Sequence, residues 1–215
     1  MTAKIKLNAA SGGGSISIQA PSSSSNNRVI SLPDIADGTL LTSQSSLDST
    51  KLSPAITGGK ILQVVSTTQT SVSSVSVGSG LVGDLGPQVT ITPSSSSNKV
   101  LITSAIEVSA EVGQINHDYV LQANGSTVTA AIGDSAGSRR RATGTNESYH
   151  SESSATLIIN FLHSANTTSA VTYGIRVGHS SSSTRTIYCN RSGSDGNDSK
   201  IGRYTSTITA MEVAA

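Results

Sequence analysis

An all-β fold follows from three observations on this sequence. Apolar and polar residues alternate in segment after segment. Glycine, proline, asparagine and serine close nearly every one of these segments. No stretch carries a convincing helical period. Together they predict an antiparallel β-sandwich of jelly-roll type over residues 58–215, preceded by a thinner, extended β-rich region over residues 1–57.

In the first region the apolar pairs Ile5/Leu7, Ile16/Ile18 and Ile30/Leu32 each alternate and end at turn residues, and Asp37-Gly38 precedes Leu40. These runs are too short to build a core in one chain. They fit a shaft in which several chains wrap together, or an arm that orders on a partner.

From Gly58-Gly59 the strands lengthen. The pattern predicts strands over 60–66, 71–77 and 88–92, the last ending at Pro93. The clearest is 99–112. Val100, Ile102, Ile106, Val108, Ala110 and Val112 share one parity, and Thr103, Glu107, Ser109 and Glu111 the other. One face is thus expected to be buried and the other wet. Strands over 119–123 and 127–132 flank Asn124-Gly125, whose residues both tolerate the positive φ of a tight hairpin. Leu157/Ile159/Phe161 and Val171/Tyr173/Ile175/Val177 alternate, and 186–190 and 205–213 complete about nine strands.

Composition narrows the setting. Of 215 residues only 35% are apolar, there is no Trp, and the one Phe and five Tyr all lie at or after Tyr119. A core this thin is helped by sharing apolar surface between identical chains. The net charge of +1 argues against a general nucleic-acid binder. No run approaches the ~18 apolar residues of a membrane helix, and the N-terminus has no apolar core of a secretory signal. Cys189 is the single cysteine.

Motifs for chemistry are sparse, and no enzymatic activity, cofactor or metal is expected. Residues 78–83 match G-x-G-x-x-G, but Asp84, Gly86 and Pro87 follow where a phosphate-binding helix would open, so a glycine-rich loop is expected. Glu107 and Glu111 share a face but stand about 13 Å apart at strand rise, too far for a glycosidase pair. Glu147 and Glu152 read as solvated carboxylates. His117, His150, His163 and His179 lack metal-ligand spacing. His163 and His179 continue the apolar parity of their strands and read as strand-end surface residues. Asp195-Gly196-Asn197-Asp198 reads as a tight turn.

The longest stretch without a strand pattern is 133–153. It holds Arg139, Arg140 and Arg141, then Tyr149 and His150. Guanidinium groups suit an anionic glycan and an aromatic face suits a sugar ring, so these five are the candidate ligand-binding residues. A solvated connection is the competing reading. Loop 191–203 is a weaker second candidate.

Four islands then stand out in order along the chain: KIKLNAASGGGSISIQAPSSS near the N-terminus, GGKILQVV from Gly58, ITPS followed by NKVLI from Ile91 to Ile102, and STITAMEV at the end. In combination they resemble structural fibre proteins of marine bacteriophages, particularly those infecting cyanobacteria. The resemblance implies a homotrimeric virion protein, assembled in the host cytoplasm. Residues 1–57 would anchor it to another virion protein, and its head would reach a host-surface glycan as part of a tail fibre or spike. A capsid decoration or head-fibre protein is the alternative, and a glycan depolymerase a second. The tract 133–153 has no counterpart in that resemblance, and no catalytic residue is carried over from it.

Overall fold

The computed structural model describes residues 4–8, 10–19 and 60–215. The chain divides into two compact units, Met1–Ser49 and Thr50–Ala215. In the first, β1 (Lys4–Asn8) and β2 (Ser15–Gln19) form an antiparallel hairpin whose register sets Ile5 opposite Ile18 and Leu7 opposite Ile16. Gly12 and Gly13 turn the chain at φ of 82° and 70°, in a region open to glycine. The alternation near Ile30, Leu32 and Leu40 and the expected boundary at 57/58 lie outside the described residues.

The second unit has eleven described strands: β3 (Ile61–Gln69), β4 (Ser73–Val77), β5 (Gly80–Ile91), β6 (Lys99–Ala110), β7 (Ile115–Ala123), β8 (Ser126–Thr127), β9 (Gly144–Ser148), β10 (Ala155–His163), β11 (Val171–His179), β12 (Arg185–Cys189) and β13 (Ser206–Val213). They build two antiparallel sheets, and a single 3-10 turn, Thr129–Ala131, is the only helical piece among the described residues.

β6 organises the six-stranded sheet. β10 pairs along one edge of it, from Val100 to Val108. The other edge is shared end to end: β13 pairs with residues 99–105 and β12 with 108–110. β3 then joins β13, and β4 joins β12. In the five-stranded sheet β11 lies between β5 and β7, and β9 and β8 divide the far edge of β7.

The alternation along β6 holds through the strand. Val100, Ile102, Ile106, Val108 and Ala110 are buried, and their partners in the core include Leu157 and Ile159 of β10, Leu121 of β7, and Tyr173 and Ile175 of β11. Burying each such large side chain stabilises the fold by about 1.5–3 kcal/mol, so this one core drawn from both sheets holds them together. Asn124 and Gly125 turn between β7 and β8 with φ of 50° and 75°, the both-positive geometry that Asn-Gly favours.

Three expectations are corrected. The glycine-rich loop expected over 78–83 is confined to its first two residues: β5 begins at Gly80, well before the strand expected from 88, and glycine serves packing there. A Cβ on Gly83 would lie 2.6 Å from the Val75 and Val77 side chains. A bulge in the same strand, where Gly86 takes φ 82° and the register to β11 shifts, accommodates Pro87. The strand expected over 127–132 stops at Thr127 and gives way to the 3-10 turn. The tract 133–153 is interrupted by β9, an edge strand whose sequence GTNES has no apolar alternation to announce it.

Candidate functional site

The five candidate residues do not form one site. Loop 133–142 closes on itself, with Gly133 N–H donating to the Ala142 carbonyl at 3.1 Å and Arg141 Nε to the Gly133 carbonyl at 2.8 Å. Arg140 reaches back to the sheet, where its guanidinium pairs with Asp118 at 2.8 Å and donates to the His179 carbonyl. Two of the three arginines therefore hold their own loop. Arg139 is exposed, and among the described residues only its backbone is engaged, through the Ala136 carbonyl. Tyr149 and His150 lie beyond the other end of β9, about 17 Å of strand away, their rings in an edge contact at 4.6 Å.

Of the two histidines expected at strand-end surfaces, His179 is not on the surface. His179 is fully buried, and its Nε2 donates to the Val77 carbonyl at 2.9 Å, linking the two sheets. His117 sits opposite it on β7, also fully buried, with Nε2 and Ser148 Oγ 2.8 Å apart. Both Nδ1 atoms lack a partner. Burial, and then the neighbouring His179, push His117 down to about 4 against the opposing pull of Asp118. It is thus neutral at ordinary pH. His163 is partly buried, with Nδ1 2.8 Å from Tyr173 Oη. No group of three or more His, Cys, Asp or Glu converges to hold a metal ion among the described residues.

The outward face of the six-stranded sheet is more distinctive. Cross-strand register sets Leu162 of β10, Leu101 of β6, Met211 of β13 and Val64 of β3 in one row. Leu162 and Val64 are 45% and 58% exposed. Two rows away, Ile158 at 62% lies beside Ala105 and Thr207, over a shallow groove that also takes in Thr103, Asn160 and Thr209. From Leu101 to Ala105 this face of β6 carries no charge; Lys99 and Glu107 mark its ends.

Past Glu107 the surface turns polar. Loop 190–205 leaves β12 and returns to β13 over it. Ser109, outward by parity, is nevertheless buried beneath this loop, donating to the Arg191 carbonyl at 2.7 Å. Arg191 lies over the Tyr188 ring at 3.7 Å and pairs with Asp195 at 2.8 Å, and Arg203 pairs with the same Asp195. So 195–198 is less a free turn than the crest of a braced loop. Sequence reasoning ranked this loop second, although the paired arginines around one aspartate were its available signal.

Glu212 was missed altogether. It is 1% exposed, and its carboxylate accepts from Asn98 Nδ2 at 2.6 Å, Gln63 Nε2 at 2.9 Å, and both Ser94 N and Ser94 Oγ at 2.7 Å. Burial alone would raise its pKa; these donors outweigh burial and hold it at about 2.

No protein-family model matches this sequence, and no curated protein matches it at a significant level.

Proposed function

We propose that the chain is a structural protein of a bacteriophage particle: a homotrimeric tail fibre or spike. In this reading residues 1–57 are a shaft or anchor held by another virion protein. The β-sandwich, jelly-roll-like in this reading, is a head contributing to host-surface attachment.

The observation that carries the reading is the outward face of the six-stranded sheet, where Leu162, Leu101, Met211 and Val64 align across four strands with Ile158 nearby. Contiguous exposed apolar surface on a β-sheet marks association, because covering it returns about 25 cal/mol per Å². The aromatic-poor composition and the four sequence islands support the same reading, and the number three comes from the resemblance they carry.

The test is the absolute mass of the full-length protein by light scattering at low concentration. Three times the chain's 21.8 kDa is expected. A stable monomer would remove the shared-surface argument. Detection of the protein in purified particles by mass spectrometry then addresses its place in a virion.

A further inference from the structure

The polar end of the same sheet holds a cleft. On one edge of β6 the pairing passes from β13 to β12 at residues 106–107, and loop 190–205 emerges at that junction. Glu107 secures both ends of the loop through its backbone: its carbonyl accepts from Asn190 N–H and its N–H donates to Ser206 Oγ, each at 3.0 Å. The returning chain sets Arg203, Tyr204 and Thr205 against Glu107, Ser154 and Thr156, and these six line the cleft.

Its groups are held before any ligand arrives. Ser154 Oγ donates to one Glu107 carboxylate oxygen at 2.8 Å and Thr156 Oγ1 to the other. Each oxygen keeps a second acceptor position. Arg203 spends one guanidinium nitrogen on Asp195 while its side chain stays 59% exposed, so further donors remain. Tyr204 is fixed by its N–H to the Asn190 carbonyl at 3.0 Å and by its hydroxyl 3.2 Å from Ser192 Oγ. Its ring lies so close over Gly202 that a Cβ there would come within 2.2 Å of the hydroxyl. The backbone of loop 190–205 is braced in turn: Ser194 N–H donates to the Ser151 carbonyl at 2.8 Å, and a Cβ on Gly193 would overlap the Ala110 carbonyl oxygen.

A carboxylate with free acceptor positions, a planar donor fork, hydroxyls and an aromatic ring are the groups that recognise a polyhydroxy ring. Their charges decide which kind. Glu107 and Asp195 balance Arg203 and Arg191, leaving no net charge to draw an ion, and an anionic ligand would meet the Glu107 carboxylate. We infer that this cleft binds a neutral pyranose, with Glu107 accepting from sugar hydroxyls, Arg203 donating to them and Tyr204 offering its ring. The inference deepens the attachment reading above and rests on it for its biological sense, while naming a different site from the arginine loop.

The experiment is ligand-observed saturation-transfer NMR on the full-length protein. The probes are the methyl β-glycosides of glucose, galactose and mannose, with methyl β-glucuronide as the charged counterpart. At least one neutral glycoside is expected to bind in preference to the glucuronide. Binding is expected to weaken about tenfold in Glu107→Gln, for loss of a charge-assisted hydrogen bond, and in Arg203→Ala, and to stay unchanged in Arg139→Ala. Arg203 is exposed enough that its replacement leaves the core intact, which guards against misfolding of the Glu107 variant. No signal from any neutral glycoside, a signal that survives both cleft substitutions, or tighter binding of the glucuronide would each overturn the inference. Sugar binding by a monomer would keep the cleft and sink the trimer; a trimer without sugar binding would do the reverse.

Discussion

Glu212 and Asn98 stand 114 residues apart in sequence and meet at 2.6 Å, carboxylate to side-chain amide, in a site closed to water. Asn98 also accepts from Ala215 N–H at 3.2 Å, and Gln63 reaches the same carboxylate from β3. The contact therefore ties the last strand, the first strand of the sandwich and the turn before β6 into one unit.

Acid should release that unit. The folded carboxyl titrates at about 2 against a usual 4.5, so its stabilisation is complete above 4.5 and is lost as pH falls towards 2. Glu212→Gln is expected to cost about 1–3 kcal/mol at neutral pH, since it removes charge-assisted hydrogen bonds, and to flatten the stability curve in that window. Thermal melts across the acid range check both; equal acid sensitivity in the two proteins would dismiss this role for Glu212.

A second window lies higher. His117 has an ordinary value of 6.5 and a folded value of about 4. As pH falls from 6.5 the unfolded chain takes up a proton that the folded one refuses, so stability declines until pH reaches about 4. Urea midpoints measured between those limits are expected to drop in the wild type and to drop less in His117→Gln, although that variant starts lower.

On the sheet face, Ile158→Asp and Leu162→Asp should leave folding nearly unchanged, because both side chains point to solvent, yet abolish self-association. Light scattering and circular dichroism, run together, separate the two effects. Retained oligomers in the double variant would move the interface elsewhere.

The arginine loop divides by residue. Arg140→Ala removes a partly buried ion pair with Asp118 and the bond to the His179 carbonyl, an expected cost of about 1 kcal/mol. Arg139→Ala should be silent in stability. Denaturant titration of the two single variants reads the difference, and equal effects would contradict the anchoring role of Arg140.

In the interior, Ile106→Ser removes a fully buried side chain and leaves a hydroxyl in its place, at an expected cost of about 2–4 kcal/mol. Ending the chain at Thr205 removes β13 from between β3 and β6 and is expected to prevent folding. A soluble, cooperatively melting truncation would refute the central place of that strand.

The strands that were legible in sequence are those with one wet and one dry face. β6 announced itself by parity, and the β7–β8 turn by Asn124-Gly125. β9 did not, because an edge strand of polar residues has no apolar face to display. The first half of β5 did not, because glycines that read as turn residues are there to pack: Gly83 against the Val75 and Val77 side chains of β4, and Gly86 against Ile106 of β6. Glu212 shares parity with Ile208 and Ala210, both buried, so its inward direction was readable; its donors on Gln63, Ser94 and Asn98 were not, being brought there by the fold. The candidate site was legible as chemistry but not as geometry: nothing in the spacing of Arg140 revealed Asp118 as its partner.

Both ends of loop 190–205 fasten to one residue of β6, while its crest around Asp195 pairs mainly with the loop's own arginines. Such an attachment makes the loop a replaceable cassette. Residues 196–200, exposed and hydrogen-bonded only within the loop among the described residues, can change in identity without altering the register of any strand beneath. The framework beneath stays constant while this segment varies, which offers a protein engineer a place to graft a foreign loop.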